Sequence, residues 1–142
     1  MFLGEHRHSL DAKGRVIFPT RYRDDLGSQV VVQKGTGEKC LLVWPLPAWQ
    51  QIEEKVRALP TTTDPRARRF ARFFFSQASL ERVDAQGRLT IPQPLREYAD
   101  LSRDVVIVAA GNRLEIWDAD RWESQLPTDT DQLGEFTEQL GI

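Results

Sequence analysis

A tandem repeat constrains the fold of this chain more than any other feature. The ten residues from 10 to 19 recur at 83 to 92, with Asp, Ala, Gly, Arg and Pro at equivalent positions 73 residues apart. The same offset relates four further pairs: Phe2 and Phe75, Leu41 and Leu114, Trp44 and Trp117, and Trp49 and Trp122. Because one ungapped offset accounts for all of these pairs, we interpret the chain as a duplication of one small unit.

Each copy begins with a short strand, a tight turn and a second short strand. In the first copy the turn runs from Asp11 to Gly14, and in the second from Asp84 to Gly87. An Asp at the start of a turn bonds backbone amides, and a Gly at its end accepts a left-handed conformation. The pattern therefore predicts a hairpin in each copy.

The rest of each copy alternates helix and strand signals. Pro19 and Pro92 are predicted to open short helices. The β-branched runs at 30–32 and 105–108 predict buried strands, and each is followed by a glycine turn and a strand through a tryptophan. Helices are predicted at 47–59 and at about 119–126. The fold class is therefore mainly β with short helices (α+β).

We place the repeats at residues 5–51 and 78–121, with a helical connector at 52–77 and an acidic tail, mobile or weakly helical, at 127–142. Asp64 is predicted to cap a connector helix that starts at Pro65. The arginines of this connector helix either reach a phosphate or form the solvent-exposed face of the helix. The apolar face expected to pack is formed by Phe70, Phe73 and Phe74.

Charge is distributed unevenly, although the net charge is only −2. Residues 1–82 hold 14 Lys and Arg against 9 Asp and Glu, whereas residues 83–142 hold 5 against 12. This asymmetry predicts either a surface for an anionic partner or charge pairing between subunits.

Several classes of protein are disfavoured. The single cysteine, Cys40, lies in an apolar run and is expected to be a buried hydrophobe rather than a reactive thiol. The N-terminus lacks the pattern of a signal peptide, no stretch is long enough to cross a membrane, and a cytoplasmic location is expected. His6 and His8 share a face of a strand and could bind a metal, but no third ligand is evident. Surface or phosphate-facing histidines are the alternative. We expect no cofactor and no small-molecule substrate.

Residues 11–15 and 84–88 resemble the two Asp-x-x-x-Arg motifs of the MraZ family, and residues 1–4, 13–23 and 42–49 are also similar to that family. This resemblance covers residues 1 to about 126. It implies a bacterial cytoplasmic, nucleoid-associated regulator with two SpoVT/AbrB-type repeats that close into a swapped-hairpin β-barrel. It further implies ring-shaped homo-oligomers that bind direct repeats in promoter DNA and repress their own gene and the division and cell-wall gene cluster.

Arg15 is the first candidate for DNA contact, because it follows the turn and arginine binds both guanine and phosphate. Lys13 at the turn tip and Arg7 on the preceding strand are expected to extend this patch. The alternative is that Arg15 only pairs with Asp11 across the turn. Arg88 is the equivalent candidate in the second copy, but its acidic surroundings favour a structural pair with Asp84 and a division of labour between copies.

Two other functions remain open at this point. A ring-forming scaffold without nucleic acid would also explain a duplicated unit with charge asymmetry. An enzyme would need Asp11 and Asp84 as a catalytic pair, yet their place in turns favours backbone bonding, together with Gly14 and Gly87 as turn residues. The sequence contains no Gly-rich phosphate loop, nucleophile elbow or metal signature, so we predict that the protein is not an enzyme.

Overall fold

A computed structural model describes residues 1–126 and 131–142, and it shows an α+β fold. The strands are β1 (Glu5–Ser9), β2 (Arg15–Ile17), β3 (Gln29–Lys34), β4 (Leu41–Pro45), β5 (Ala78–Arg82), β6 (Arg88–Thr90), β7 (Asp104–Ala109) and β8 (Leu114–Asp118). The helices are α1 (Thr20–Leu26), α2 (Leu46–Arg57), α3 (Pro65–Ser76), α4 (Gln93–Tyr98), α5 (Ala119–Gln125) and α6 (Asp131–Leu140).

Strands of the two copies are interleaved in one sheet of six, in the order β1-β7-β8-β4-β3-β5. The hairpins β3–β4 and β7–β8 stay within their copies. The pairs β1–β7, β3–β5 and β4–β8 join one copy to the other, and every pair is antiparallel. The duplication therefore builds a single unit in which neither copy has a sheet of its own.

The predicted hairpin between the first two strands of each copy is wrong. β2 does not pair with β1 but with β6, its counterpart in the other copy, and Val16 lies opposite Leu89 in this two-stranded ribbon. Both side chains are completely buried. One copy alone is too small to enclose such residues, so pairing across the copies buries apolar surface that an internal hairpin would leave exposed.

The described strands do not close into a barrel through their hydrogen bonds. The six-stranded sheet has β1 and β5 as its edges, and the ribbon of β2 and β6 forms a separate sheet. The repeat boundaries at 5–51, 52–77 and 78–121 stay predictions, since the strands assigned to both copies share one sheet.

One core contains residues of both copies, among them Phe18, Leu41, Ile91 and Ile116, all buried. Cys40 is also buried, and this burial raises the pKa of its thiol to about 12. The expectation that Cys40 is a buried hydrophobe is confirmed. Because the thiolate is the reactive form, the raised pKa disfavours a reactive thiol.

The helix signals were accurate to within a few residues. Pro19 and Pro92 stand as caps just before α1 and α4 rather than as their first residues. Asp64 caps α3 as predicted, accepting a hydrogen bond from the Arg66 amide at 2.9 Å. None of the described helices is long and apolar enough to cross a membrane.

The connector differs from expectation in one respect, and the tail contains one of its two predicted alternatives. Of the three phenylalanines predicted to pack, only Phe74 is buried, whereas Phe70 and Phe73 are about two-fifths exposed. The predicted tail contains a helix, α6, whose side chains from 132 onward are exposed. Residues 127–130 of that predicted tail lie outside the described residues.

Candidate nucleic-acid interface

The first Asp-x-x-x-Arg motif forms a turn held by its aspartate. Gly14 has a φ of 75° and donates its amide hydrogen bond to the Asp11 carbonyl at 3.0 Å. The Asp11 carboxylate oxygen Oδ1 accepts from the amides of Lys13 and Arg15, each at 2.9 Å. The predicted turn with a left-handed glycine is confirmed, and only a residue without a side chain takes this φ at little cost.

The Arg15 side chain pairs with the same aspartate, with 2.6 Å between its Nε and Asp11 Oδ2. Hydrogen bonds from the Arg15 backbone amide, then from its side chain, hold the pKa of Asp11 below its ordinary value. The pairing that was the alternative to DNA contact is therefore present. It uses Nε, and the two terminal guanidinium nitrogens have no hydrogen-bond partner among residues 1–126 and 131–142.

The second motif repeats this geometry almost atom for atom. Asp84 accepts from the amides of Gln86 and Arg88 at 3.0 and 2.8 Å, and Arg88 Nε lies 2.7 Å from Asp84 Oδ2. The Arg88 amide is the main cause of a lowered Asp84 pKa. Arg88 differs in one contact, a long hydrogen bond of 3.4 Å from a terminal nitrogen to the Gln86 side chain.

The ribbon brings both arginines to one surface. Arg15 is opposite Thr90 and Arg88 is opposite Ile17, while the central pair, Val16 and Leu89, points into the core. Because side chains alternate along a strand, all four outer residues share the exposed face. From strand dimensions, the Cα atoms of Arg15 and Arg88 are about 8 Å apart. We call this surface the ribbon face.

Two further arginines, missed by sequence reasoning, fix the turns from the opposite copy. Arg96 of α4 packs its guanidinium on Gly14 and donates from Nε to the Ile91 carbonyl at 3.0 Å, while the Ile91 amide donates to the Gly14 carbonyl at 2.9 Å. Arg23 of α1 makes the same arrangement with Phe18 and Gly87. The offset of 73 residues relates Arg23 to Arg96, and it was the one available signal.

The surroundings of the two turns differ in charge. Arg96 and Arg103 line an open depression beside the first turn, together with Asp11 and Ala12. The Arg103 carbonyl accepts from the Leu10 amide, in the place where the Ser28 carbonyl accepts from the Val83 amide at the second turn. The first turn therefore has Lys13 and Arg103 where the second has Gln86 and Ser28.

The other predicted residues lie on β1, away from the ribbon. Arg7 forms ion pairs with Glu123 and Glu5, which offset its charge. His6 and His8 stack with ring centroids 5.8 Å apart. Burial, then the Arg21 charge, lowers the pKa of His6. In the described part of the chain, His, Cys, Asp and Glu form no group of three or more that could hold a metal.

Comparison with known proteins agrees with the repeat and its motifs. A family model described as "MraZ protein, putative antitoxin-like" matches the chain twice, over residues 1–73 and 74–139. The two matches begin 73 residues apart, which is the offset of the internal repeat.

Relatives cover almost the whole length. The chain is 44% identical over 140 residues to the transcriptional regulator MraZ of Moorella thermoacetica, covering 99% of this chain and 96% of the relative. It is 49% identical to that of Acetivibrio thermocellus over 124 residues, 87% and 85% of the two chains. With that of Halothermothrix orenii it shares 43% over the full length of both. The chain belongs to the MraZ family.

Proposed function

We propose that this protein is a transcriptional regulator that binds double-stranded DNA in a sequence-specific way through the ribbon face. The observation that carries the proposal is the placement of two partly exposed arginines, Arg15 and Arg88, on the outer face of one short antiparallel ribbon. A two-stranded ribbon fits the major groove, where arginine reads guanine through two hydrogen bonds. The family of its relatives, named as transcriptional regulators, supports the same role.

The ion pairs with aspartate are compatible with this role. Each aspartate engages the backbone and Nε of its arginine, and the terminal guanidinium nitrogens are the ones that form bidentate contacts with a base or a phosphate. Asp11 and Asp84 therefore orient the arginines. Gly14 and Gly87 complete the turns that hold them.

The surroundings of the first turn contribute most of the attraction to phosphate. Lys13, Arg15, Arg96 and Arg103 surround the first turn, whereas Arg88 and Arg23 are the cationic residues at the second. Phosphate contacts position a protein on DNA and account for much of its affinity. Arg7 contributes least, since its ion pairs must break before it can reach a phosphate.

Several finer points belong to the same proposal. The targets are direct repeats in the promoter of its own gene and of the division and cell-wall gene cluster, which the protein represses. The ribbon and the six-stranded sheet form a swapped-hairpin barrel, supported by the tight turns that link β1 to β2 and β5 to β6. The chains assemble into a ring, and the protein is cytoplasmic and nucleoid-associated.

The test is a gel-shift of the purified protein on the DNA upstream of its own gene. Wild type should bind this fragment more tightly than a scrambled fragment of equal length, and Arg15→Ala should not. Arg57→Ala is the matched control, because Arg57 also pairs with a residue four positions away, Glu53, but lies on α2. Equal binding by wild type and Arg15→Ala would refute the ribbon face. Assembly with no preference for the upstream fragment would favour a scaffold.

A further inference from the structure

One apolar side chain lies among the polar residues of the ribbon face. Ile17 is 40% exposed, although its neighbours along the chain, Val16 and Phe18, are completely buried. A single exposed isoleucine at an ordinary surface position needs no explanation. This position differs, because Ile17 shares its face with Arg15 and Arg88, the two residues proposed to contact DNA. A ribbon that meets DNA through these arginines brings Ile17 to the same groove.

The ribbon is closed by hydrogen bonds at both ends, which fixes the pairing of its outer residues. The Phe18 amide donates to the Gly87 carbonyl and the Ile91 amide to the Gly14 carbonyl, each at 2.9 Å. Hydrogen-bonded and non-hydrogen-bonded pairs alternate along an antiparallel ribbon. The two outer pairs next to these ends are therefore non-hydrogen-bonded, with Cα atoms about 4.5 Å apart and side chains at their closest.

The dimensions of the ribbon face match the spacing of bases. Ile17 lies opposite Arg88 and Arg15 lies opposite Thr90, so the four side chains form a compact patch. Along the strand, Arg15 and Ile17 are two residues apart, which is about 6.8 Å. Successive bases of one DNA strand are about 3.4 Å apart along the helix axis, so this separation corresponds to two base steps. Ile17 is also β-branched, which restricts its rotamers before binding.

An apolar side chain has one characteristic partner in the major groove, the C5-methyl group of thymine. The other groups that the base edges present there are hydrogen-bond donors and acceptors, which an isoleucine cannot satisfy. Contact between Ile17 and this methyl group removes apolar surface of both from water, and the stabilisation grows with the area removed. Facing any other base, Ile17 would instead cover polar atoms without bonding them, which costs free energy.

The two copies differ at this position of the ribbon face. The offset of 73 residues relates Ile17 to Thr90, just as it relates Arg15 to Arg88. Thr90 is exposed and β-branched too, but its hydroxyl group bonds to polar base atoms of either kind. With the same residue at both positions, the four side chains would be unchanged by a half-turn of the ribbon and would fit a site equally in both directions. The isoleucine and the threonine give the ribbon face a direction.

We infer that Ile17 is a specificity-determining residue, which contacts the C5-methyl group of one thymine in the major groove. This thymine lies about two base steps from the base that Arg15 contacts. The inference rests on the proposed DNA binding through the ribbon face, and it names a base that this face selects. Because Thr90 makes no equivalent apolar demand, the selected thymine lies on one side of the contacted bases only.

The test removes the methyl group from the DNA and the isoleucine from the protein, separately and together. In the fragment upstream of the gene, each thymine that the full chain protects from nuclease is replaced in turn by uracil, which lacks only the methyl group. At one thymine of each bound site, wild type should lose about fourfold in affinity, the effect of one buried methyl group. Ile17→Ser should bind more weakly but lose nothing further, whereas Ile17→Val should keep most of the fourfold effect.

The decisive quantity is the ratio of the affinities for thymine and uracil fragments within one protein. Any effect of serine on folding lowers both affinities equally and cancels from this ratio, so the ratio isolates the coupling between residue and base. Leu80→Ser is the matched control, because Leu80 is also an exposed apolar residue on a strand, 62% exposed on β5 and outside the ribbon. Its ratio should equal that of wild type.

The outcomes separate this inference from the proposed function. If wild type preferred the upstream fragment to a scrambled one, yet no uracil replacement affected it more than Ile17→Ser, the thymine contact would be overturned and the regulator would stand. If wild type bound both fragments equally, the regulator and the contact would fall together. A thymine whose replacement by uracil weakens wild type, Ile17→Val and Leu80→Ser but not Ile17→Ser is the result expected from the structure.

Discussion

The guanidinium of Arg96 lies so close to Gly14 that a Cβ atom on Gly14 would come within 2.5 Å of Arg96 Cζ. One copy thus supplies the turn and the other supplies the arginine that covers it. The same relationship holds in reverse between Arg23 and Gly87, with 2.2 Å to the Arg23 Nε atom. Each turn of the proposed DNA surface depends on both copies for its shape.

Replacing Gly14 should therefore lower the free energy of unfolding by more than backbone strain alone would. Gly14→Ala has to displace the Arg96 side chain and lose its hydrogen bond to Ile91, a loss of about 1 kcal/mol beyond about 1–2 kcal/mol of backbone strain. Gly37→Ala is the control, because Gly37 has a similar φ of 79° and nothing within 4 Å of the added atom. Chemical denaturation gives both free energies of unfolding, and equal losses would contradict the packing role of Arg96.

The two ribbon arginines should differ in their salt dependence. Each phosphate contact adds about −0.9 to the slope of log affinity against log salt concentration. We expect Arg15→Ala to lower this slope and Arg88→Ala to change it less, because the second turn has Gln86 and Ser28 where the first has Lys13 and Arg103. Stability should change in either variant by no more than about 0.5–1 kcal/mol, since these ion pairs are partly exposed. Fluorescence anisotropy at several salt concentrations, with assembly state measured alongside, makes the comparison. Equal losses of slope in the two variants would mean that both turns contact DNA to the same extent.

Exchanging the residues at two equivalent positions should move the phosphate contact from one turn to the other. Arg103→Ser should weaken promoter binding severalfold, because it removes a cation from beside the first turn. Ser28→Arg in that variant should recover part of the loss by placing a cation beside the second turn. Both residues are exposed, so thermal unfolding should hardly change. Arg113→Ser serves as the control arginine, as it pairs with Glu115 on β8. If Arg103→Ser lost no more promoter binding than Arg113→Ser, and Ser28→Arg recovered none of it, Arg103 would not belong to the interface.

Acid should weaken the fold partly through the two turn aspartates. The folded-state pKa values of Asp11 and Asp84 are lowered from an ordinary value of 3.8, mainly by backbone hydrogen bonds. The unfolded chain binds these protons first, so their contribution to stability is present above that value and is lost as the pH falls through the lowered pKa values. Asp11→Asn/Asp84→Asn should therefore lose less stability than wild type between pH 5 and pH 2, a range taken from the acid titration of Asp. Circular dichroism measures the stability of both proteins as the pH falls. If the stability of the wild type and of the double variant declined in parallel, this contribution would be excluded.

The repeat itself determined much of this protein. The offset of 73 residues, the Asp and Gly of each turn and the periodicity of the strands are local properties, and they predicted the elements and the turn conformation correctly. Turn chemistry needs only neighbours in the chain, which is why Asp11 and Gly14 could be read directly. The same local pattern also identified Arg15 and Arg88 as candidates.

Only the tertiary structure decided which strands pair. Val16 pairs with Leu89 because two small copies bury more apolar surface together than either does alone, and no local pattern encodes that choice. The same exchange places Arg15 and Arg88 on one face and lets Arg96 of one copy cover Gly14 of the other. Sequence periodicity reports which residues are apolar, whereas the partner of each apolar residue depends on how the whole chain closes around its core.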